Sequence, residues 1–98
     1  MLYTRNMNFD ELIKQDGTII LDFFANWCGP CRMLSPVLEE IEAEEGYKLI
    51  KIDVDEFGEL AEKFQITSIP RVFVFENGKL KADILGYLPK EAILERIK

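Results

Sequence analysis

Ile19 to Ala25, IILDFFA, is a dense apolar run without alternation, and it leads into Trp27-Cys28-Gly29-Pro30-Cys31. A run of this kind reads as a central strand covered on both faces, so the chain must supply layers above and below it. From Pro30 to about Glu45 the period changes. Met33, Leu34, Val37, Leu38 and Ile41 recur at three- and four-residue spacing, which predicts one inward face of a helix. Pro30 suits the first helical turn, where its missing N–H costs nothing, whereas Pro36 lies inside and is expected to kink the helix. Glu39, Glu40, Glu42, Glu44 and Glu45 form its wet side, a solubilising face, and Gly46 stops it.

The flanking segments complete an α/β pattern. Leu2-Tyr3-Thr4 is expected to form a short strand. Asn8 to Glu11 reads as a capping box opening a short helix to about Gln15, ended by the turn signal Asp16-Gly17. Tyr47 to Val54 alternates, with Ile50, Ile52 and Val54 on one face and Leu49, Lys51 and Asp53 on the other. Phe57 to Phe64 predicts a short helix with Leu60, Ala61 and Phe64 inward. After Ile69-Pro70, the runs Arg71 to Glu76 and Lys79 to Leu85 flank Asn77-Gly78, the signature of a type I′ hairpin. Gly86 breaks the second of these strands, and Pro89 starts a last helix with Ala92, Ile93 and Ile97 inward. The order is β-α-β-α-β-α-β-β-α with no repeat or linker. It predicts a single domain over residues 1–98: a mixed central sheet with helices on both faces.

Composition narrows the function. At 48% apolar residues a core is within reach, and a net charge of −6 argues against a nucleic-acid binder. The longest apolar run, Val72 to Phe75, is far short of the ~20 residues of a membrane helix. The N-terminus has no apolar stretch behind Arg5, so no signal peptide is visible and the cytoplasm is the expected location. The chain has no histidine, which removes Cys-His and Ser-His catalysis and most metal sites. One CxxC supplies two ligands where a structural zinc takes about four, so no metal is expected. As a structural staple, two cysteines this close would enclose too small a loop to restrain the unfolded chain.

Redox use remains. A disulfide reductase needs one thiol that is a thiolate near neutral pH and a second that releases the mixed disulfide. At the start of a helix, Cys28 meets unpaired N–H groups and the positive end of the helix dipole, both of which favour the thiolate. Cys31, one turn further in, is expected to be near it and more buried. Cys28 is therefore the attacking residue and Cys31 the resolving one; Gly29 gives the turn freedom and Pro30 stiffens it. Asp22 is anomalous: a carboxylate in a strand buried on both faces is expensive to ionise, which raises its pKa. The competing reading is an edge strand with Asp22 facing solvent.

DFFANWCGPCRMLSP, KIDVDE, the SIP tripeptide, the FENGK hairpin and Gly86 stand in the order and spacing of the thioredoxin family, which the chain resembles over nearly its whole length. The resemblance implies the thioredoxin fold and a general protein-disulfide reductase with a redox-active Cys28–Cys31 disulfide. It gives Asp22 the part of moving the Cys31 proton and pairs Asp22 with Lys51, which by itself reads equally as a surface lysine. It makes the Ile69-Pro70 bond cis, packed against the CxxC, with the backbone of Ile69 offered to the substrate chain. Gly86 would border the same groove, its other reading being a turn that ends a strand. Trp27, Gly29, Pro30, Ile69, Pro70, Arg71 and Gly86 are the expected substrate contacts. No bound cofactor is implied: electrons would come from NADPH through a thioredoxin reductase. The partners would be that reductase and disulfide-containing proteins, and the protein a monomer, with no nucleic acid or membrane.

Two residues depart from the family pattern. Phe24 stands where Trp is usual, and Arg71 follows Pro70 where Thr is usual. The Arg71 guanidinium would either lie beside Cys28, favouring its thiolate and acidic partners, or point to solvent. The rival functions are an oxidase or isomerase of the same fold and a non-redox binding module.

Overall fold

The computed structural model describes residues 1–98. Its elements are α1 (Phe9–Ile13), β1 (Thr18–Phe24), α2 (Gly29–Glu45), β2 (Lys48–Asp53), α3 (Gly58–Lys63), β3 (Arg71–Glu76), β4 (Lys79–Leu85) and α4 (Lys90–Ile97). They form one four-stranded sheet in the order β2-β1-β3-β4. β1 is parallel to β2 and antiparallel to β3, and β3 and β4 form an antiparallel hairpin. This is the mixed sheet that the sequence pattern predicts, with one strand fewer. Leu2-Tyr3-Thr4 makes only an isolated parallel bridge to the outer edge of β2, through Leu2 and Lys51. Asp16-Gly17 and Asn77-Gly78 form the turns they signal. Asn77 and Gly78 have φ of 52° and 83°, the positive values that a type I′ turn requires.

Side chains leave β1 alternately on two faces, and both are covered. Ile20 points toward α2 and α4, where it meets Leu34, Leu38 and Ile41 of α2 and Ile93 and Ile97 of α4. Ile19, Leu21 and Phe23 point the other way, into a core with Tyr3, Phe9 and Phe57 in which Leu60 and Phe64 are partly buried. That second core is aromatic. Phe23 lies 5.8 Å from Phe73, edge to face, and 5.3 Å from Phe64, and Tyr3 bridges Phe9 and Phe57.

Three details of the helices differ from expectation. Met33 is 61% exposed, because it lies at the edge of the α2 face whose centre is Leu34, Leu38 and Ile41. Pro36 does not interrupt α2, which continues to its left-handed cap at Gly46. The acidic side of α2 is also not merely wet. Lys90 of α4 reaches both Glu40 and Glu44, Lys98 reaches Glu45, and Glu42 accepts the Leu49 N–H at 2.8 Å. These contacts join α2 to α4 and to β2. The exposed ion pairs contribute little each.

Phe23 is fully buried between two other phenylalanines. Phe23→Ala is expected to lower the unfolding free energy by about 3–5 kcal/mol in urea denaturation. A loss under about 1 kcal/mol would mean that this core is not packed as described.

Candidate active site

The end of β1 delivers the chain to the cysteines. Ala25 is buried, and its carbonyl accepts the Cys28 N–H at 3.2 Å, which closes the turn. Cys28 is the N-cap of α2 with extended backbone (φ −91°, ψ 111°), and Gly29 and Pro30 take the first two helical positions. The Cys28 Sγ accepts the Cys31 N–H at 3.2 Å, so a sulfur does the work usually left to a serine or aspartate oxygen at an N-cap. The two residues form a disulfide, with Cα atoms 5.3 Å apart. Once the bond is opened, the same N–H and the helix dipole favour negative charge on Cys28.

Burial does not separate the two sulfurs as expected. Cys28 is 5% exposed and Cys31 3%: the two form one buried cluster with Ala25, against which Phe24, Val54 and Ile69 pack. What distinguishes them is hydrogen bonding: Cys28 Sγ is the acceptor, and Cys31 supplies the donor.

Behind Cys31 lies a cavity of about 330 Å³ lined by Asp22, Lys51, Ser35 and Cys31, with Phe24, Ala25, Asn26, Arg32 and Pro36. Asp22 is the one buried charged residue, 1% exposed, and neither of its carboxylate oxygens has a hydrogen-bond partner. It is not on an edge strand, since β1 has neighbours on both sides. Burial pushes its pKa from 3.8 up to about 7, opposed by the charge of Lys51. Asp22 and Lys51 stand opposite each other in the β1–β2 register. Lys51 is half-buried; its ammonium hydrogen-bonds to the Ser35 hydroxyl and lies 5.4 Å from the centre of the Phe24 ring.

Val54 and Ile69, which pack against the cysteine cluster, also line an apolar groove of about 360 Å³ with Trp27, Ala61, Ile66, Thr67 and Ser68. Trp27 is 68% exposed, and its indole N–H donates to Asp55 at 2.9 Å. The Ile69-Pro70 peptide bond is cis, Pro70 is buried, and Ile69 rests on the disulfide. The Pro70 carbonyl accepts the Gly86 N–H at 2.9 Å, joining the two rim segments. Gly86 has φ of +81° and open space where a side chain would be. Its reading as the turn that ends β4 therefore holds, and the open space leaves its backbone uncovered.

Arg71 takes neither expected position. Its guanidinium is bound by both carboxylate oxygens of Asp83, each at 2.7 Å, and stacks 5.0 Å from the centre of the Phe73 ring. The cross-strand hairpin register accounts for this, placing Phe73 opposite Asp83 one pleat from Arg71. Spacing could have revealed Ser35, which follows Cys31 by one helical turn and so shares its face. Nothing local marked Asp55 or Asp83 as partners.

A family model described as Thioredoxin matches residues 1–98. The chain belongs to the thioredoxin family. It is 46% identical to the thioredoxin of Bacillus subtilis over 84% of this chain and 81% of that one. With the thioredoxin of Mycoplasmoides gallisepticum it shares 35% identity over 97% of this chain and 96% of that one. Among solved structures it superposes on a thioredoxin mutant from Halobacterium salinarum with a TM-score of 0.81, at 31% identity over 88% of this chain and 76% of that one. A chain solved in work on thiol resolution in a yeast mitochondrial 1-Cys peroxiredoxin by glutathione and thioredoxin systems gives 0.79, at 33% identity over 91% and 85%. This member of the family is a thiol-disulfide oxidoreductase whose CGPC pair serves protein-disulfide reduction.

The buried carboxyl makes stability depend on pH. Below about 3.8 Asp22 is protonated in both folded and unfolded chains, and its ionisation costs no stability. As pH rises the unfolded chain ionises first, and native stability is lost until the folded carboxyl ionises near 7. The full loss is on the order of 4 kcal/mol. Asp22→Asn is therefore expected to unfold at higher urea than wild type at pH 8 and to lose most of that advantage at pH 4. Equal pH dependence of the two proteins would contradict the assignment.

Proposed function

We propose that this thioredoxin is a general electron carrier to protein disulfides, with Cys28 attacking, Cys31 resolving and Asp22 handling the proton between them. The observation that carries this reading is the asymmetry of the two sulfurs: Cys28 sits at the helix N-cap, and Cys31 lines a cavity with an unpaired carboxyl. A substrate chain would lie in the groove along Trp27 and Ile69, against Gly29, Pro30 and Pro70, with Gly86 leaving room for its backbone. Arg71, held by Asp83, would shape the rim rather than act on Cys28.

The Cys28 thiolate bonds to one substrate sulfur, and the substrate S–S bond breaks, releasing the other sulfur as a thiolate that takes up a proton. The Cys31 thiol then gives its proton to Asp22 and attacks Cys28. The Cys28–Cys31 disulfide forms, the mixed disulfide breaks, and the second substrate sulfur leaves as a thiolate that takes up the proton held by Asp22. The substrate gains two electrons and this protein loses them. An ionised Asp22 near neutral pH is basic enough for that transfer, because burial has raised its pKa toward 7. Lys51 stabilises its charged form.

The cycle closes when a thioredoxin reductase returns two electrons, drawn from NADPH; the chain carries no glycine-rich nucleotide loop of its own. We place the protein in the cytoplasm as a monomer. No helix is long and apolar enough to cross a membrane.

Insulin reduction by dithiothreitol tests this. Wild type is expected to accelerate precipitation of the insulin chains, and Cys28→Ser to abolish the acceleration. Cys31→Ser is expected to accumulate a mixed disulfide through Cys28. Equal activity of wild type and Cys28→Ser would point instead to a binding module whose thiols are incidental.

A further inference from the structure

Lys51 has two acceptors within the same cavity and uses the uncharged one. Its ammonium donates to the Ser35 hydroxyl, while both oxygens of Asp22, its register partner on the neighbouring strand, have no partner. An ammonium and a carboxylate lining one cavity attract each other, and the attraction strengthens as water is excluded. Ser35 stands one helical turn beyond Cys31 on α2, so the thiol that must lose a proton and the hydroxyl that holds Lys51 are fixed by the same helix face.

We propose that Ser35 is a positioning residue for the resolving step, holding the Lys51 ammonium away from Asp22 so that the carboxylate stays free to accept the Cys31 proton. This rests on the reductase reading above. A carboxylate clamped by an ammonium is a weaker base, because the pair stabilises its charged form. One left unpaired keeps its basicity, yet still feels the positive charge nearby. Ser35 sets that balance by geometry alone, and the Phe24 ring supports the ammonium from another side.

The other charged groups near Asp22 do not replace this arrangement. From α2, Cys31 and Arg32 line the cavity, and the Arg32 guanidinium is turned to the Asn26 carbonyl at 2.7 Å. From β2 comes Lys51. From β3 the residue opposite Asp22 is Val72, and α4 adds no residue to the cavity lining.

The test is a carbon-13 titration of the Asp22 carboxyl in the oxidised protein, with Ser35→Ala, Ser35→Thr, Lys51→Met and the Ser35→Ala/Lys51→Met double variant. Ser35→Ala is expected to free Lys51 and move the Asp22 midpoint down by about one pH unit or more. Ser35→Thr, which keeps the hydroxyl, should stay with wild type, and Ser35→Ala should have no further effect once Lys51 is methionine. In single-turnover kinetics, the pH profile of mixed-disulfide release should move toward acid by the same amount in Ser35→Ala. An unchanged or raised midpoint in Ser35→Ala, or an equal fall without Lys51, would overturn the assignment. The two readings fail separately: wild type that does not reduce insulin overturns the reductase cycle, whereas a fixed midpoint overturns the role of Ser35.

Discussion

Burial of β1 under helices on both faces determines where that strand ends and what can follow it. Because Ile19, Leu21 and Phe23 are locked into one core and Ile20 into the other, the strand can neither slip nor rotate without exposing one set. Its exit at Ala25 then sets the position of Cys28 at the head of α2, whose own buried face is held by the same core. The active-site sulfur is thus positioned by packing some distance away. The local turn of Gly29 and Pro30 only finishes the job.

The same burial creates the one electrostatic cost in the molecule. Asp22 occupies a position on β1 that an apolar residue would fill more stably, and it has no hydrogen bond to offset its desolvation. That cost is the source of its basicity: the environment that penalises the charge brings the pKa to about 7, where a carboxylate can exchange a proton with a thiol. In the proposed cycle, stability and chemistry draw on the same residue in opposite directions.

How far the sequence could be read depended on whether the signal was local. The IILDFFA run, the helical spacing after Pro30 and the Asn77-Gly78 turn are local, and each became the predicted element. Leu2-Tyr3-Thr4 failed as a strand because its pairing with β2 is limited to a single bridge. Met33 failed as a core residue because periodicity cannot tell the centre of a helix face from its margin. At the site, Cys28, Cys31 and Asp22 stood out by residue type and position, and the family resemblance correctly supplied the cis Ile69-Pro70 bond. The partners were harder to see. Arg71 with Asp83, Trp27 with Asp55 and Lys51 with Ser35 are cross-element pairs, and a single sequence does not say which of several polar neighbours a long side chain will choose. The expected difference in burial between the cysteines also shrank to little, since Ile69 and Val54, distant in sequence, pack against the cluster that holds both.

With exposure so nearly equal, the proposed division of labour between the sulfurs rests on the hydrogen bond that Cys28 Sγ accepts at the helix N-cap. Alkylation of the reduced protein by iodoacetamide across a range of pH, with each cysteine quantified by peptide mapping, tests that most directly. Cys28 is expected to react first, with a midpoint below the ~8.5 of a free thiol, while Cys31 lags. Equal rates at the two cysteines, or faster modification of Cys31, would contradict the account.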